Sequence, residues 1–139
     1  MMQQVNVNYL AVLVAAIASM VVGFLWYGPL FGKMWMGLMN FDKKKMEEAK
    51  KKGMGKTYAL AFLTSLIMSY VLAHFVNYVQ AKTIADGVVL AFWLWLGFFA
   101  TTQLGMVLWE GKPVKLYVLN TLHHLVSLAV MASILAVWH

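Results

Sequence analysis

The sequence predicts an all-α polytopic membrane protein: four transmembrane helices in an antiparallel bundle, with a short cytoplasmic surface helix. The first observation is composition, because 63% of the 139 residues are apolar and only 12% are charged. Soluble domains contain roughly 45–50% apolar and about 25% charged residues. The second is a series of four apolar runs, each long enough to cross a hydrocarbon core of about 30 Å. The third is the concentration of lysine in one connection.

The four runs belong to a single membrane domain that covers residues 1–139. We predict spans at residues 6–27, 57–80, 84–109 and 115–138, with a cytoplasmic segment at 28–56. The second and third connections are short turns, so neighbouring spans should run antiparallel. The first run is too long for the apolar region of a signal peptide and follows no basic side chain, so we expect it to be a true span.

The distribution of basic residues predicts the orientation. All 11 are lysines, and ten of them lie in the first and third connections, which share one side of a four-span bundle. By the positive-inside rule this side is cytoplasmic and both termini are outside. The net charge of +6 then indicates contact with anionic lipid headgroups rather than with nucleic acid. The chain has no cysteine, which excludes thiolate metal sites, and we expect neither a metal nor another cofactor.

A lysine-rich stretch in the first connection predicts the surface helix. Asp42 is a suitable N-cap, and Glu47–Lys51 and Glu48–Lys52 are i,i+4 pairs in the favourable order. Two interpretations stay open: a docking surface for lipid or a partner protein, or a solvated anchor that only fixes topology. The lysines of this surface are Lys43, Lys44, Lys45, Lys50, Lys51 and Lys52.

An aromatic segment precedes the lysines. Pro29 disfavours helix at Gly28, which predicts that the first span ends there. The residues that follow are rich in aromatic side chains and suit the inner membrane interface. The interfacial segment comprises Trp26, Tyr27, Pro29, Phe31, Lys33 and Trp35.

Several motifs resemble a bacterial family of four-span membrane proteins classed as a domain of unknown function. They are Asn8-Tyr9-Leu10-Ala11-Val12, Trp26-Tyr27-Gly28-Pro29-Leu30-Phe31-Gly32-Lys33-Met34-Trp35, Lys52-Gly53-Met54-Gly55-Lys56 and the pair Ala73-His74. The resemblance covers most of the chain and implies the four-span fold. It implies no activity.

Small residues recur at a spacing of four on at least three spans, which places each set on one stripe of its helix. Such stripes let helices approach closely in lipid. We expect most of them to hold the bundle together, and one of them is available for a homo-oligomer. They are Ala11, Ala15, Ser19 and Gly23; Ala61, Ser65, Ser69 and Ala73; and Gly97, Thr101 and Gly105.

Polar residues at membrane depth form two layers and a candidate polar pathway. One interpretation is a site that handles protons or ions, since histidine titrates near neutral pH; the other is hydrogen bonding between helices. Adjacent His123 and His124 diverge by about 100° on a helix, so they should face different partners. Glu110 is a candidate carboxylate at the inner mouth or, alternatively, an exposed ion-pair partner of the nearby lysines. The pathway residues are His74, Asn77, Gln103, Asn120, His123, His124 and Ser127.

Three functional hypotheses follow. We favour an oligomeric protein that transports a small solute or ion. Any path should lie between subunits or be very narrow, because four spans of one chain enclose little volume. The alternative is a non-catalytic membrane subunit that binds lipid or a partner protein. A membrane-embedded enzyme ranks last, because the sequence contains no nucleophile–base pair, carboxylate pair or phosphate-binding loop, and we do not expect an enzyme.

Overall fold

The computed structural model describes residues 6–39, 44, 47, 48, 51 and 53–138, and every regular element among them is helical. The elements are the α-helices Tyr9–Leu25, Gly32–Leu38, Gly55–Tyr78, Ile84–Leu94, Thr101–Gln103, Gly105–Leu108 and Val114–Val137, with π-helical turns at Trp26–Leu30 and Trp95–Ala100.

Four helical units are long and apolar enough to cross a membrane. They are Tyr9–Leu30, Gly55–Tyr78, Ile84–Leu108 and Val114–Val137, called the first to fourth spans below. Their mean hydropathies lie between 1.6 and 2.3, in the range expected of lipid-embedded helices. The predicted all-α, four-span fold is confirmed.

The end of the first span differs from the prediction. Helix continues through Pro29 to Leu30, because the chain widens into a π-helical turn instead of stopping at Gly28. The backbone N–H of Phe31 donates to the carbonyl of Trp26, five residues earlier, at 2.9 Å. Proline has no N–H and in an α-helix its ring meets the carbonyl four residues before it. A turn with one extra residue relieves that conflict, so proline does not end the span here.

A sharp bend follows this turn and leads into the short helix Gly32–Leu38. Phe31 leaves the helical region, with φ at −128°. A Cβ at Gly32 would lie 2.6 Å from the carbonyl oxygen of Tyr27, so the bend requires glycine.

The fourth span is the central helix of the bundle. In its apolar window 39% of residues are buried, against 22%, 22% and 17% for the first, second and third spans. It packs against each of the other three, and the first span also packs against the second. The second and third spans, both described throughout, are joined by a short turn but do not pack along one another.

Small residues allow the closest approaches between spans. A Cβ at Gly87 would lie 2.8 Å from the backbone of Ala132, so the third and fourth spans touch at their main chains. Ala11 and Ala15 are fully buried, and the Ser69 hydroxyl donates to the carbonyl of Val12 at 2.8 Å. The predicted stripes of the first and second spans therefore serve packing within the chain.

The helix ends have local capping. Asn8 accepts hydrogen bonds from the backbone N–H groups of Leu10 and Ala11. Thr83 accepts from the N–H of Asp86, and Asp86 accepts from the N–H of Lys82, which is a capping arrangement for the third span. Both short turns reverse the chain, as predicted.

The predicted surface helix falls largely outside the described residues, since Asp42, Lys43, Lys45, Lys50 and Lys52 are not among them. The described residues of this stretch are helical and exposed: Lys44, Glu47, Glu48 and Lys51.

Candidate functional site

An open cleft of about 1340 Å³ enters the bundle at the end that carries the lysine-rich connections. The second and third spans form its two sides, and the first and fourth spans form its floor. It arises because the second and third spans are joined at the opposite end and separate towards this one.

The cleft reaches about the middle of the membrane. Its deepest residues include Ser65 and His124, each ten residues from the lysine-rich end of its span. At 1.5 Å per residue this is about 15 Å, or half of a hydrocarbon core of about 30 Å.

Most of the lining is apolar. Four methionines contribute to it: Met20, Met39, Met54 and Met106. Methionine is flexible and polarizable, and it adapts to ligands of different shape. Aromatic side chains lie among them, namely Phe24, Trp35, Tyr58 and Trp109.

Six polar side chains line the floor of the cleft, five from the first and fourth spans and one, Gln103, from the third. They are Ser19, Tyr27, Gln103, Asn120, His123 and His124. The Tyr27 hydroxyl donates to Oδ1 of Asn120 at 2.8 Å. The Thr121 hydroxyl donates to Oε1 of Gln103 at 3.3 Å. Both bonds use the amide oxygen, which leaves the two side-chain NH₂ groups to act as donors.

His123 lies inside a group of aromatic rings. Its ring centroid is 5.0 Å from that of Tyr27, 6.1 Å from that of Trp26 and 5.1 Å from that of His124. Neither ring nitrogen of His123 has a hydrogen-bond partner among the described residues, although both are buried. A buried polar atom without a partner costs about 1–3 kcal/mol, so its retention calls for an explanation.

His124 faces the other side. Its ring stacks on Phe99 of the third span, with centroids 5.2 Å apart, whereas His123 faces aromatic rings of the first span. The predicted divergence of the two histidines is confirmed.

Two tryptophans fix the floor to the neighbouring spans. The indole N–H of Trp26 donates to the carbonyl of Leu119 at 3.1 Å, and that of Trp95 donates to the carbonyl of Thr121 at 2.7 Å. Each tryptophan begins a π-helical turn. The fourth span is thus hydrogen-bonded on both sides at nearly the same depth.

The sequence prediction missed this pair, although a signal exists. Phe24-Leu25-Trp26-Tyr27-Gly28 and Trp93-Leu94-Trp95-Leu96-Gly97 share the pattern aromatic-Leu-Trp-x-Gly. The two indole groups lie at nearly one level because their acceptors, Leu119 and Thr121, are two residues apart on the fourth span. π-helical turns of this kind are frequent at functional sites.

The chain was compared with known proteins at the level of families, curated sequences and solved structures. The model of a protein family of unknown function, DUF1761, matches residues 10–136. The chain belongs to this family. The resemblance carried by the sequence motifs is therefore confirmed. The chain matches no curated protein and no solved structure.

The family match includes the whole cleft, because the first and last lining residues in the sequence, Ser19 and His124, lie well within residues 10–136. Among the described residues, no three side chains of the metal-ligating types come together.

The outer layer of the predicted pathway does not join the cleft. His74 bonds through Nδ1 to the carbonyl of Tyr70 at 2.9 Å, and the Asn77 amide donates to the carbonyl of Ala73 at 2.9 Å. Both partners lie one turn earlier on the same helix, so these side chains are satisfied without reaching another span. His74 and Asn77 are not among the residues that line the cleft.

The remaining predicted residues separate into three places. Ser127 is buried and shares a hydrogen bond of 2.8 Å with Ser19 beneath the floor. Glu110 is exposed at the mouth of the cleft, near Lys112. Lys33 is exposed, while Trp35 turns into the cleft, its ring 5.7 Å from that of Tyr27. Tyr27 and Trp35 of the interfacial segment therefore line the cleft.

Proposed function

We propose that this protein binds a small solute in the cleft and has a transport-like role in a bacterial inner membrane. One observation carries the proposal: hydrogen-bonding side chains line an open cleft that extends from the lysine-rich end of the bundle to about the middle of the membrane. Polar groups at this depth are costly and mark functional sites by default.

The opposite half of the bundle supports the same role, because it is closed. Ala11, Ala15, Ala132 and Ala136 are fully buried there. A site near the midplane that opens to one side only is the arrangement expected of one state of an alternating-access protein. In this proposal solute enters through the open cleft, and release to the other side requires the packed half to open.

The π-helical turns are the proposed places of movement. Each lies beside the floor, and the one in the first span is followed by a bend at Phe31, where φ is −128°. Segments that depart from α-helix frequently act as hinges.

Flux into proteoliposomes tests the proposal. We expect a pH gradient to drive a flux that an internal pH-sensitive dye reports, and the double variant His123→Ala/His124→Ala to abolish it. His74→Ala is the matched control, because this histidine is satisfied within its own helix. Undiminished flux in the double variant would contradict a role of the floor in handling protons or ions.

A homo-oligomer is part of the proposal. It is supported by the third span, the least buried of the four, where Gly97 has no atom within 4 Å of the position of a Cβ. We expect a mass of at least two chains by light scattering in mild detergent. If the protein is strictly monomeric and still supports flux, the path lies within one chain and the proposed homo-oligomer is contradicted.

The alternative role is that of a non-catalytic subunit that binds lipid or a partner protein. It is favoured by the exposed lysines around the cleft mouth, of which Lys33, Lys56, Lys112 and Lys115 are described. Two results together would support this role over transport. The protein would show no flux, and it would bind a stoichiometric partner that is lost when Lys44 and Lys51 are replaced by glutamate.

A further inference from the structure

We propose that the ligand of the cleft is a neutral, lipid-soluble molecule with a flat head that bears carbonyl oxygens and with an apolar tail. It enters sideways from the lipid, between the second and third spans. The inference rests on the proposed function, which makes the cleft a binding site for a solute. Its test measures binding and does not depend on transport.

The route of entry follows from helix packing. The second and third spans line opposite sides of the cleft with residues such as Ala61 and Met106, but they do not pack along one another. A gap between two spans faces lipid rather than water over the hydrophobic thickness. A molecule dissolved in the bilayer therefore reaches the floor without crossing the aqueous phase.

The hydrogen-bonding character of the floor selects the head. Asn120 and Gln103 use their amide oxygens in bonds to Tyr27 and Thr121 and present N–H groups. A floor with this excess of donors suits a ligand that accepts hydrogen bonds, as a carbonyl oxygen does.

Charge excludes ionic heads. Among the described residues, the charged side chains that line the cleft are Glu110 and Lys112, and both are exposed at its mouth. A carboxylate or an ammonium group at the floor would be desolvated without a fixed opposite charge beside it, which is costly. A neutral head has no such penalty.

The shape of the site favours a flat head and a flexible tail. Tyr27, Trp35 and Phe24 present rings to the cleft, against which a planar group packs face to face or edge to face. The methionines along the sides accommodate an apolar chain. A quinone with an alkyl tail combines all these features and serves as the probe.

Equilibrium binding of decylubiquinone to the purified full-length protein in lipid nanodiscs tests the inference. We expect saturable binding that Gln103→Leu and Asn120→Leu each weaken about tenfold, the effect of one lost hydrogen bond to a desolvated group. Asn77→Leu is the matched control, because Asn77 bonds only within its own helix. If Asn120→Leu fails to fold, Gln103→Leu alone decides, since Gln103 lies in a partly exposed position.

A second pair of variants tests the route. Ala61→Trp places a large ring at the edge of the cleft, and we expect it to prevent binding. Leu60→Trp is its control, because Leu60 is adjacent in sequence, 53% exposed and not part of the lining.

Three outcomes would overturn the inference: no saturable binding, binding unchanged in Gln103→Leu and Ala61→Trp, or tighter binding of palmitate, whose head is anionic. Because no gradient is applied, a protein that binds the quinone but shows no flux refutes only the transport role. A protein that shows flux but does not bind the quinone refutes only this ligand class.

Discussion

Single residues decide how closely the spans of this protein approach one another. Gly87 lets the backbone of the fourth span pass at contact distance. Ser19 and Ser127 meet through their hydroxyls in the same bundle. In lipid, where apolar surfaces gain little from meeting, such small contacts supply the packing and hydrogen bonding that hold helices together.

Gly87→Ala should destabilise the bundle, because the added methyl group would lie 2.8 Å from the backbone of Ala132. Overpacking of this kind costs about 1–3 kcal/mol. Unfolding in a series of detergent mixtures measures the loss. Gly97→Ala on the same span is the control, since nothing lies within 4 Å of its Cβ position. Equal stability of the two variants would show that the third and fourth spans separate easily.

The hydroxyl pair is suited to a double-mutant cycle. Ser19→Ala and Ser127→Ala should each lower the free energy of unfolding, and the double variant should lose less than the sum of the two. The coupling should be about 0.6 kcal/mol, the average for hydrogen bonds between membrane helices. A coupling of zero would mean that the 2.8 Å contact contributes nothing to stability.

At the scale of elements, the two π-helical turns hold the fourth span in place beside the polar residues of the floor. They begin at Trp26 and Trp95, whose indole groups bond to carbonyls of the fourth span two residues apart. A carbonyl inside a helix normally accepts only from its own helix, so these bonds fix the rotation of the fourth span. That rotation directs Asn120 and His124 to the cleft.

Trp95→Phe tests this anchoring. The phenyl ring keeps most of the apolar contact but cannot donate to the carbonyl of Thr121, so we expect a loss of about 1 kcal/mol in unfolding free energy. Trp93→Phe is the control two residues earlier, because Trp93 is 63% exposed. Thermal unfolding in detergent compares the two variants. A loss of the same size in both would assign the effect to ring size rather than to the hydrogen bond.

At the scale of the whole molecule, the central position of the fourth span and the separation of the second and third spans produce a bundle that is closed at one end and open at the other. The open end carries the exposed lysines Lys33, Lys56, Lys112 and Lys115. The orientation of the chain therefore determines which compartment the cleft faces.

Cysteine labelling checks that orientation, since the chain has no native cysteine. We expect an impermeant maleimide to label Lys82→Cys in intact bacterial cells, and to label Lys51→Cys and Lys112→Cys only after the membrane is opened. The physical reason is the lysine excess on the side of the first and third connections. The reverse labelling pattern would place the lysine-rich side and the cleft outside.

The sequence by itself determined the class of this protein, the number of its spans and the ends of most of them. A long apolar run that crosses lipid forms a helix, because the helix pairs the backbone N–H and C=O groups of the run with one another. It also placed His123 and His124 on different sides, because helical geometry fixes their divergence.

Only the tertiary structure decided the remainder. The continuation of helix through Pro29, the local bonding of His74 and Asn77, and the cleft above Asn120 depend on which spans touch. Periodicity assigns a residue to a face of its helix, but the neighbour of that face is set by interhelical contacts such as Gly87 against Ala132. The four spans were therefore predictable from the sequence, whereas the site between them was not.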